Sequence, residues 1–326
     1  MRALVVSNML ADTEHPERGS FVRDQVAALR RLDGLDVELY EFPPGPRALV
    51  HAARDLRRRH GGPSTFSRRP ASAPWDLVHA HFGLTAWPAL AVPARVRALT
   101  VHGTDLSHPR TRLATAAVLP AIDLLAAVSA SLVRELPGGA ARRRAMVLPC
   151  GVELERFGRV SRAEARRELG LDPDTPNLLF PADPSRPEKR HDLAASLAAA
   201  LGVELHTLGG IAPEQVGLWI NAANAVIVPS DREGFGLAVL EALACDVPVL
   251  ATPVGIHEEA LDGVAGTLCA LFELGPWQAA AAGHLADPDP RIDGRAAADR
   301  FSAAAMAERV AGAWRAALAR SGQRSG

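Results

Sequence analysis

The 326-residue sequence contains little of several residue types, and each shortage excludes a class of protein. It has one lysine, one tyrosine and three cysteines, and aromatic residues make up only 5% of the chain. The cysteines, Cys150, Cys245 and Cys269, are odd in number and lack metal-type spacing, which argues against a disulfide framework and a cysteine-bound metal. We expect three free thiols within apolar segments.

Long apolar runs are also absent. No apolar stretch approaches eighteen uninterrupted residues, so no membrane-spanning helix is expected. The opening MRALVVSNML leads into acidic and polar sequence instead of a cleavage site, so we expect no signal peptide and a cytoplasmic location. No G-x-G-x-x-G follows the first apolar run and no P-loop motif occurs, so hydride transfer and nucleotide hydrolysis lose support.

The composition, with 48% hydrophobic and 22% charged residues, indicates a globular chain of two domains. Its net charge of -1 conceals two different halves. Residues 1–167 contain 25 arginines and 16 acidic residues, a balance of +9, whereas residues 168–326 contain 10 arginines, one lysine and 21 acidic residues, a balance of -10. A basic half can bind anionic lipid or an anionic substrate, and a solvated, arginine-rich surface is the alternative.

Short apolar runs alternate with longer helical patterns, which predicts parallel sheets covered by helices. The predicted strands lie near Ala3–Ser7, Val37–Tyr40, Leu77–His79, Leu99–Val101, Leu124–Val128, Met146–Leu148, Leu178–Phe180, Val203–Thr207, Ala225–Val228 and Val249–Ala251. The predicted helices lie near Phe21–Leu32, His191–Leu201, Pro213–Asn221, Gly236–Ala244 and Ala303–Ala319. The fold class is therefore α/β, with two Rossmann-like domains facing each other across a cleft at the carboxyl ends of their strands.

The domain boundary is predicted in the polar stretch that follows Gly151. There, Ser161-x-x-Glu164 forms a capping box that opens a helix. We expect a first domain over residues 1–160 and a second over residues 161–300. We expect residues 301–326 to form a C-terminal helix that packs back towards the first domain and ends in a frayed tail.

The segment AVIVPSDREGFGLAVLEALACDVPVLAT, residues 225–252, carries the clearest chemistry. Gly234 and Gly236 allow a tight turn and close approach of a ligand, and the helix that starts there offers backbone donors to an anion. Glu233 and Glu241 flank this turn, and carboxylates accept hydrogen bonds from the vicinal hydroxyls of a sugar or ribose. The alternative is that Glu233 is an ordinary acid at a helix start and Glu241 a surface residue.

Lys189 is the only lysine beside 35 arginines, and it follows the first predicted strand of the second half. A compact ammonium suits a phosphate in a tight site better than a guanidinium does. Arg186 and Arg190 lie close to it in sequence and are candidates for a second cation. The loop therefore predicts a site for a phosphorylated ligand.

In the first half, His102-Gly103-Thr104-Asp105 follows the predicted strand Leu99–Val101 and is expected to face the cleft. His102 is either a ligand-binding residue or a satisfied core histidine, and Asp105 either binds an acceptor or caps the next helix. Gly19 precedes a further helix start beside the cleft. His79 and His81 have metal-like spacing, but no acidic or cysteine partner lies nearby in sequence, so we predict no zinc site.

Glu233 and Glu241 enclose seven residues, which is the E-x7-E arrangement of the retaining glycosyltransferases of family 4, with the GT-B fold. The segment PS-x-x-EGFGL-x-x-LEA-x-A resembles that family almost letter for letter. Other similar motifs, in family order, are SNM, GSFV-x-x-QV-x-AL, HGTD, LPCGVELERF and ATPVG-x-x-E. The resemblance covers nearly the whole chain, and LHTLGGIAPEQVGLWINAANAVIV is similar to the short teichuronic-acid-type subgroup.

The resemblance implies a donor site in the second domain. Glu241 would hold the ribose hydroxyls of a nucleotide sugar, and Glu233 would contact the donor sugar. The backbone of Gly234, Phe235 and Gly236 would meet the sugar and phosphate, although Phe235 is equally well read as a core aromatic. Lys189 and an arginine would bind the diphosphate. The family arginine column falls on Pro184 here, so Arg186 or Arg190 would have to replace it.

The resemblance assigns the first domain to the acceptor. His102 would contact the donor sugar near the reaction centre, Gly19 would lie against the donor phosphate or the acceptor, and Asp105 would bind the acceptor. The predicted catalytic residues are His102, Lys189 and Glu233. No metal and no cofactor are expected beyond the donor substrate.

We therefore predict a metal-independent, retaining glycosyltransferase of the hexosyltransferase type. Its donor would be a UDP- or GDP-sugar, and its acceptor a hydroxyl of a glycan, lipid-linked or small-molecule intermediate of the cell envelope. Peripheral binding to anionic membrane at the inner face of the cell membrane is a further expectation, and nucleic acid is not expected as a partner. The alternatives are a GT-B sugar-nucleotide epimerase and a non-catalytic nucleotide-sugar-binding subunit.

Overall fold

The structure, a computed structural model, describes residues 1–61 and 74–323. The chain forms two compact units. The first comprises residues 1–12, 18–151 and the C-terminal segment from residue 303, and the second comprises residues 13–17 and 152–302. The boundaries predicted from the sequence lie at residues 160/161, between the two domains, and at residues 300/301, before the C-terminal helix. The predicted frayed tail ends in residues 324–326, which lie outside the described residues.

The first unit is built on a six-stranded parallel sheet with the order β2-β1-β3-β4-β5-β6. The strands are β1 (Arg2–Ser7), β2 (Asp36–Glu41), β3 (Trp75–His81), β4 (Ala94–Val101), β5 (Leu124–Ala127) and β6 (Met146–Val147). The helices between them are α1 (Ser20–Arg30), α2 (Pro46–His60), α3 (Ala86–Ala89), α4 (Thr104–Ser107), α5 (Pro109–Val118), α6 (Ala130–Glu135) and α7 (Gly139–Arg144). A short 3-10 turn covers Leu119–Ala121.

The second unit is built on a five-stranded parallel sheet with the order β11-β10-β9-β7-β8. The strands are β7 (Asn177–Phe180), β8 (Glu204–Thr207), β9 (Ala225–Val228), β10 (Val249–Ala251) and β11 (Leu268–Cys269). The helices are α8 (Arg162–Leu169), α9 (His191–Leu201), α10 (Pro213–Ala222), α11 (Leu237–Ala244), α12 (His257–Leu261), α13 (Leu274–Ala286) and α14 (Arg295–Asp299). A 3-10 turn covers Pro187–Lys189.

The helices pack on the sheets through buried apolar faces. Val22, Val26 and Leu29 recur at helical spacing on α1 and are buried in the core of the first unit. The C-terminal helix, α15 (Ala303–Gln323), belongs to the same core, where Trp314 is fully buried. Ser161 caps α8 by accepting a hydrogen bond from the backbone N–H of Glu164, as predicted.

These two parallel-sheet α/β units confirm the predicted fold class. Strand β4 begins five residues before its predicted start, and β11 and α13 are not predicted from the sequence. Cys150, Cys245 and Cys269 are free thiols. Within residues 1–61 and 74–323, none of the helices combines the length and the apolar character that crossing a bilayer would require.

Candidate active site

In the second unit, a glycine turn connects β9 to the start of α11. Gly236 immediately precedes α11 and has a φ of 112°, a conformation that glycine adopts without a side-chain clash. A Cβ at Gly236 would lie 2.5 Å from Nε2 of His257, and a Cβ at Gly255 would meet the carbonyl oxygen of Phe235. The backbone at Gly236 and Gly255 is therefore packed too closely for a side chain, and Gly236 leads directly into a helix start.

Lys189 and Glu233 form an ion pair beside this turn. The ammonium of Lys189 lies 2.7 Å from both carboxylate oxygens of Glu233, and Ser230 donates a hydrogen bond of 2.9 Å to Oε1 of Glu233. Their side chains are 15% and 8% exposed, so solvent screens the pair only weakly. Burial raises the pKa of Glu233, but the charge of Lys189, a smaller electrostatic effect of His257 and the hydrogen bonds from Lys189 and Ser230 outweigh it and hold that pKa below its usual value.

His257 completes this part of the second unit and is not predicted from the sequence. It is fully buried, and its Nδ1 lies 2.8 Å from the carbonyl oxygen of Thr252, so Nδ1 carries the proton of the neutral ring. Burial is the main cause that lowers the pKa of His257 and keeps the ring neutral. Within the described residues its Nε2 has no hydrogen-bond partner and lies against Gly236.

The other predicted donor residues lie around the same turn with different surroundings. Phe235 is buried and packs edge-on against Phe301, as expected of a core aromatic. Arg186 pairs with Glu188 in an exposed salt bridge, and Arg190 pairs with Asp192 and Asp231. Arg186, Glu188 and Arg190 lie between β7 and α9, Asp192 lies in the first turn of α9, and Asp231 follows β9. Glu241 is half-buried on α11, and Gly234 precedes Phe235 in the turn.

In the first unit, His102 belongs to a stack of histidines at the carboxyl ends of β3 and β4. His81 and Thr100 are paired across these strands, which brings His102 next to His81. Nδ1 of His81 lies 2.9 Å from Nε2 of His102. Burial lowers the pKa of His102 well below its usual value, with smaller effects from neighbouring His81 and His79. The half-buried His102 is therefore neutral at physiological pH.

Asp105 anchors the loop that carries His102. It is 3% exposed, and its carboxylate accepts backbone hydrogen bonds from Gly83, His102 and Gly103 at 2.8–3.1 Å. Burial raises the pKa of Asp105 to about 6, although these hydrogen bonds act in the opposite direction. The carboxylate is occupied by the backbone of its own loop and of Gly83, and its role in acceptor binding stays a prediction.

Gly19 immediately precedes α1 and has a φ of 72°. A Cβ there would meet the carbonyl oxygen of Met9, so the glycine brings the two backbone segments together. The structure thus groups Lys189, Glu233 and the glycine turn in one unit and His102, Asp105 and Gly19 in the other. Their roles towards a ligand stay predictions. Among residues 1–61 and 74–323, no group of three histidine, cysteine or acidic side chains is placed to hold a metal ion.

Comparisons with known proteins match both halves of the chain. Residues 19–156 match the family described as Glycosyltransferase Family 4, and residues 182–286 match Glycosyl transferases group 1. A protein of Thermobispora bispora named D-inositol 3-phosphate glycosyltransferase is 31% identical over 76% of this chain and 72% of its own length.

Solved structures with low sequence identity show the same fold. Sucrose-phosphate synthase from Thermosynechococcus elongatus superposes with a TM-score of 0.72 at 21% identity, covering 98% of this chain and all of that one. Anabaena HepE in complex with UDP-glucose gives a TM-score of 0.67 at 16% identity, covering 95% of this chain and 98% of that one. The chain therefore belongs to the group 1, family 4 glycosyltransferases and has their GT-B fold.

Proposed function

We propose that this glycosyltransferase moves a sugar, with retention at the anomeric carbon, from a nucleoside diphosphate sugar to a hydroxyl acceptor. We further propose that it belongs to the short teichuronic-acid-type subgroup and needs no divalent ion. The observation that carries the proposal is the Lys189–Glu233 ion pair beside the Gly236 turn at the start of α11. It combines a cation, backbone donors and a carboxylate within one loop region, which suits a sugar diphosphate.

The chemistry asked of these residues is stabilisation of a leaving diphosphate. As the bond from the anomeric carbon to the diphosphate oxygen breaks, negative charge develops on the phosphate. The ammonium of Lys189 has three N–H groups, and the pair with Glu233 aims it while leaving capacity for a phosphate oxygen. The backbone at the start of α11 adds partial positive charge. Such fixed charges stabilise a transition state without reorganisation.

Retention is proposed to occur without a glycosyl-enzyme intermediate. Glu233 is ionised but is bonded to Lys189 and Ser230, so it is better suited to orient the cation and sugar than to attack carbon. The acceptor oxygen would form its bond on the face from which the diphosphate departs, and the acceptor proton would pass to the departing phosphate oxygen. Glu241 would bind the ribose, and His102 would donate a hydrogen bond to the sugar.

The donor is tested by a thermal-shift panel of UDP-, GDP- and ADP-sugars. A ligand at 100 times its dissociation constant stabilises the folded protein by about 2.7 kcal/mol, which gives a measurable shift. We expect a UDP- or GDP-sugar to give the largest shift. The absence of a shift with every nucleotide sugar would contradict the proposed function, and formation of a free epimer of the sugar nucleotide without transfer would favour the epimerase.

Metal independence is tested on turnover. With the charge supplied by Lys189 and the helix start, adding Mg²⁺ or EDTA should leave the rate of the wild-type protein unchanged. A metal-requiring control transferase assayed in the same buffers shows that the EDTA is effective. Loss of activity in EDTA that Mg²⁺ restores would remove this part of the proposal.

Two acceptor classes have specific support. The basic first half favours a lipid-linked or cell-envelope glycan acceptor presented at an anionic membrane. The name of the Thermobispora bispora relative favours D-inositol 3-phosphate, a small anionic polyol that a basic surface would also attract. Parallel transfer assays with a polyprenyl-linked sugar and with D-inositol 3-phosphate, using the donor found in the panel, distinguish the two classes.

A further inference from the structure

Two buried histidines behind His102 have no part in the proposed transfer. His79 and His81 lie on the same side of β3 because strand side chains alternate between faces. The ring of His81 stacks against those of His79 and His102, with centroid separations of 4.7 and 5.1 Å. Of these two histidines, His81 is the one hydrogen-bonded to the ring of His102, through the 2.9 Å contact between Nδ1 and Nε2. The stack therefore ends on the half-buried ring that the proposed function places at the sugar.

A buried glutamine fixes the direction of the hydrogen bonds in this series. The side-chain amide nitrogen of Gln25, on α1, lies 3.3 Å from Nε2 of His81. An amide nitrogen only donates, so Nε2 of His81 accepts and its single proton lies on Nδ1. That proton is donated to Nε2 of His102, which leaves the proton of His102 on Nδ1. Burial lowers the pKa of His81 to about 3, so each ring carries one proton only.

His79 supports the stack but is bonded separately. The indole N–H of Trp314, on α15, donates to Nδ1 of His79 over 3.2 Å. The proton of His79 therefore lies on Nε2, which is 2.8 Å from the hydroxyl of Thr100. Both nitrogens of His79 are thus occupied by partners other than His81. The series that reaches His102 consists of Gln25 and His81 alone.

We propose that Gln25 and His81 are positioning residues that fix His102 as a neutral donor through Nδ1. In this form His102 donates one hydrogen bond to a ligand oxygen, and Nε2 is not available as a base. The site would then favour a ligand with an accepting oxygen at this point. The identity of that ligand as the donor sugar rests on the proposed function, whereas the position of the proton does not.

The proton positions are measured by long-range ¹H–¹⁵N correlation spectra of the histidine rings at neutral pH, with each ring identified from its His→Asn variant. We expect a protonated Nδ1 and an unprotonated Nε2 for both His81 and His102. Gln25→Glu supplies an acceptor in place of the donor, so both rings should move their proton to Nε2. The opposite pattern in the wild type, or no change in Gln25→Glu, would overturn the proposal.

The consequence for binding is measured as the ratio of two affinities, that for UDP-glucose and that for UDP. If the panel identifies a GDP- or ADP-sugar as the donor, that sugar and its nucleoside diphosphate take their place. Gln25→Glu should weaken binding of the nucleotide sugar by about five- to tenfold, the effect of one hydrogen bond, and leave binding of the nucleoside diphosphate unchanged. Gln278→Met is the control, because it removes a glutamine side-chain hydrogen bond elsewhere, from the half-buried Gln278 to the backbone of Ala200 in the second unit.

The outcomes separate the two proposals. Equal weakening of the nucleotide sugar and the nucleoside diphosphate by Gln25→Glu, as a general structural defect would give, would overturn the role of Gln25. A sugar-specific weakening of the same size in the control Gln278→Met would do the same. If the wild-type protein binds no nucleotide sugar, the proposed function fails, and the nitrogen spectra still decide the position of the proton on His102.

Discussion

Lys189 is a single residue on which the donor proposal depends. Its ammonium is bonded to Glu233, so removing it takes a cation from the phosphate site and also leaves a buried carboxylate without its partner. Lys189→Met should therefore weaken UDP binding by roughly 10- to 100-fold, the effect of one charged hydrogen bond, and should change uridine binding little. Calorimetric titration of both ligands gives the comparison.

The control for Lys189→Met is the double variant Lys189→Met/Glu233→Gln. It removes both charges, so no unpaired carboxylate remains to destabilise the folded protein. If the double variant recovers thermal stability but still binds UDP weakly, the loss belongs to the cation. Equal losses for UDP and uridine in both variants would exclude Lys189 as a phosphate ligand.

The proposed contact of Glu241 is with the ribose of the nucleotide rather than with its phosphate, and it is tested separately. If its carboxylate accepts hydrogen bonds from the ribose hydroxyls, the wild-type protein should prefer UDP to 2′-deoxy-UDP. Glu241→Ala should remove this preference, at a loss of about 5- to 50-fold for UDP and little for the deoxy compound. A preference that survives in Glu241→Ala would place the ribose elsewhere.

At the scale of elements, the turn before α11 depends on a contact with α12. Gly236→Ala would push a Cβ against Nε2 of His257 in a backbone conformation that side chains disfavour. We expect a loss of about 2–4 kcal/mol in the free energy of unfolding, from overpacking and backbone strain together. Gly263→Ala is the matched control, because its φ is also positive, at 74°, and nothing lies within 4 Å of its Cβ.

The same pair of elements gives a double-mutant cycle. His257→Ala removes the ring that the new methyl group would meet, so Gly236→Ala should cost less in the His257→Ala background, by about 1–2 kcal/mol in chemical denaturation. The remaining cost should approach that of Gly263→Ala. Full additivity of the two substitutions would show that the contact between Gly236 and His257 does not limit the turn.

The elements that the sequence predicts well are those with one dominant signal. Strands β9 and β10 are predicted with their observed bounds, because their uninterrupted apolar runs are buried on both faces and end in polar or proline-containing turns. The beginning of β4 is missed because Arg95 and Arg97 alternate with buried residues, which weakens the apolar run. Strand β11 has only two residues, and α13 is rich in alanine and glycine and lacks a strong apolar period.

The candidate site also contains residues that the sequence indicates and residues that it misses. The sequence places Lys189 and Glu233 in loops that follow strands, and parallel strands bring such loops to one edge, but the ion pair between them is not predicted. His257 is missed because its significance arises from packing against Gly236, a contact between residues far apart in sequence. From the sequence, His81 is considered only as a metal ligand and rejected. The signal for the histidine stack is its position two residues after His79, on the same face of β3 and paired with Thr100 of β4.

At the scale of the whole molecule, the charge is unevenly distributed, and one helix shows where the excess lies. Arg54 and Arg57 on α2 are exposed, and so are Arg58 and Arg59, which pair with the buried Asp55. Exposed apolar side chains occur in the same unit: Trp87 is 42% exposed and Leu113 is 73% exposed. The indole of Trp87 is bonded to the carbonyl of Ala114, beside Leu113. Arginines with exposed aromatic and aliphatic groups are typical of surfaces that bind anionic membranes.

We therefore expect the protein to bind vesicles that contain anionic lipid and to be released by salt. The Debye length falls from about 30 Å at 0.01 M to about 8 Å at 0.15 M ionic strength, so co-sedimentation should drop sharply over this range. Arg54→Gln/Arg57→Gln should weaken binding by about tenfold or more, because each basic residue near such a surface contributes about 1 kcal/mol. Arg315→Gln/Arg320→Gln removes the same charge from exposed positions on α15 and should have a smaller effect. Equal recovery with neutral and anionic vesicles, or none with either, would leave the basic unit as an ordinary surface and favour a small anionic acceptor.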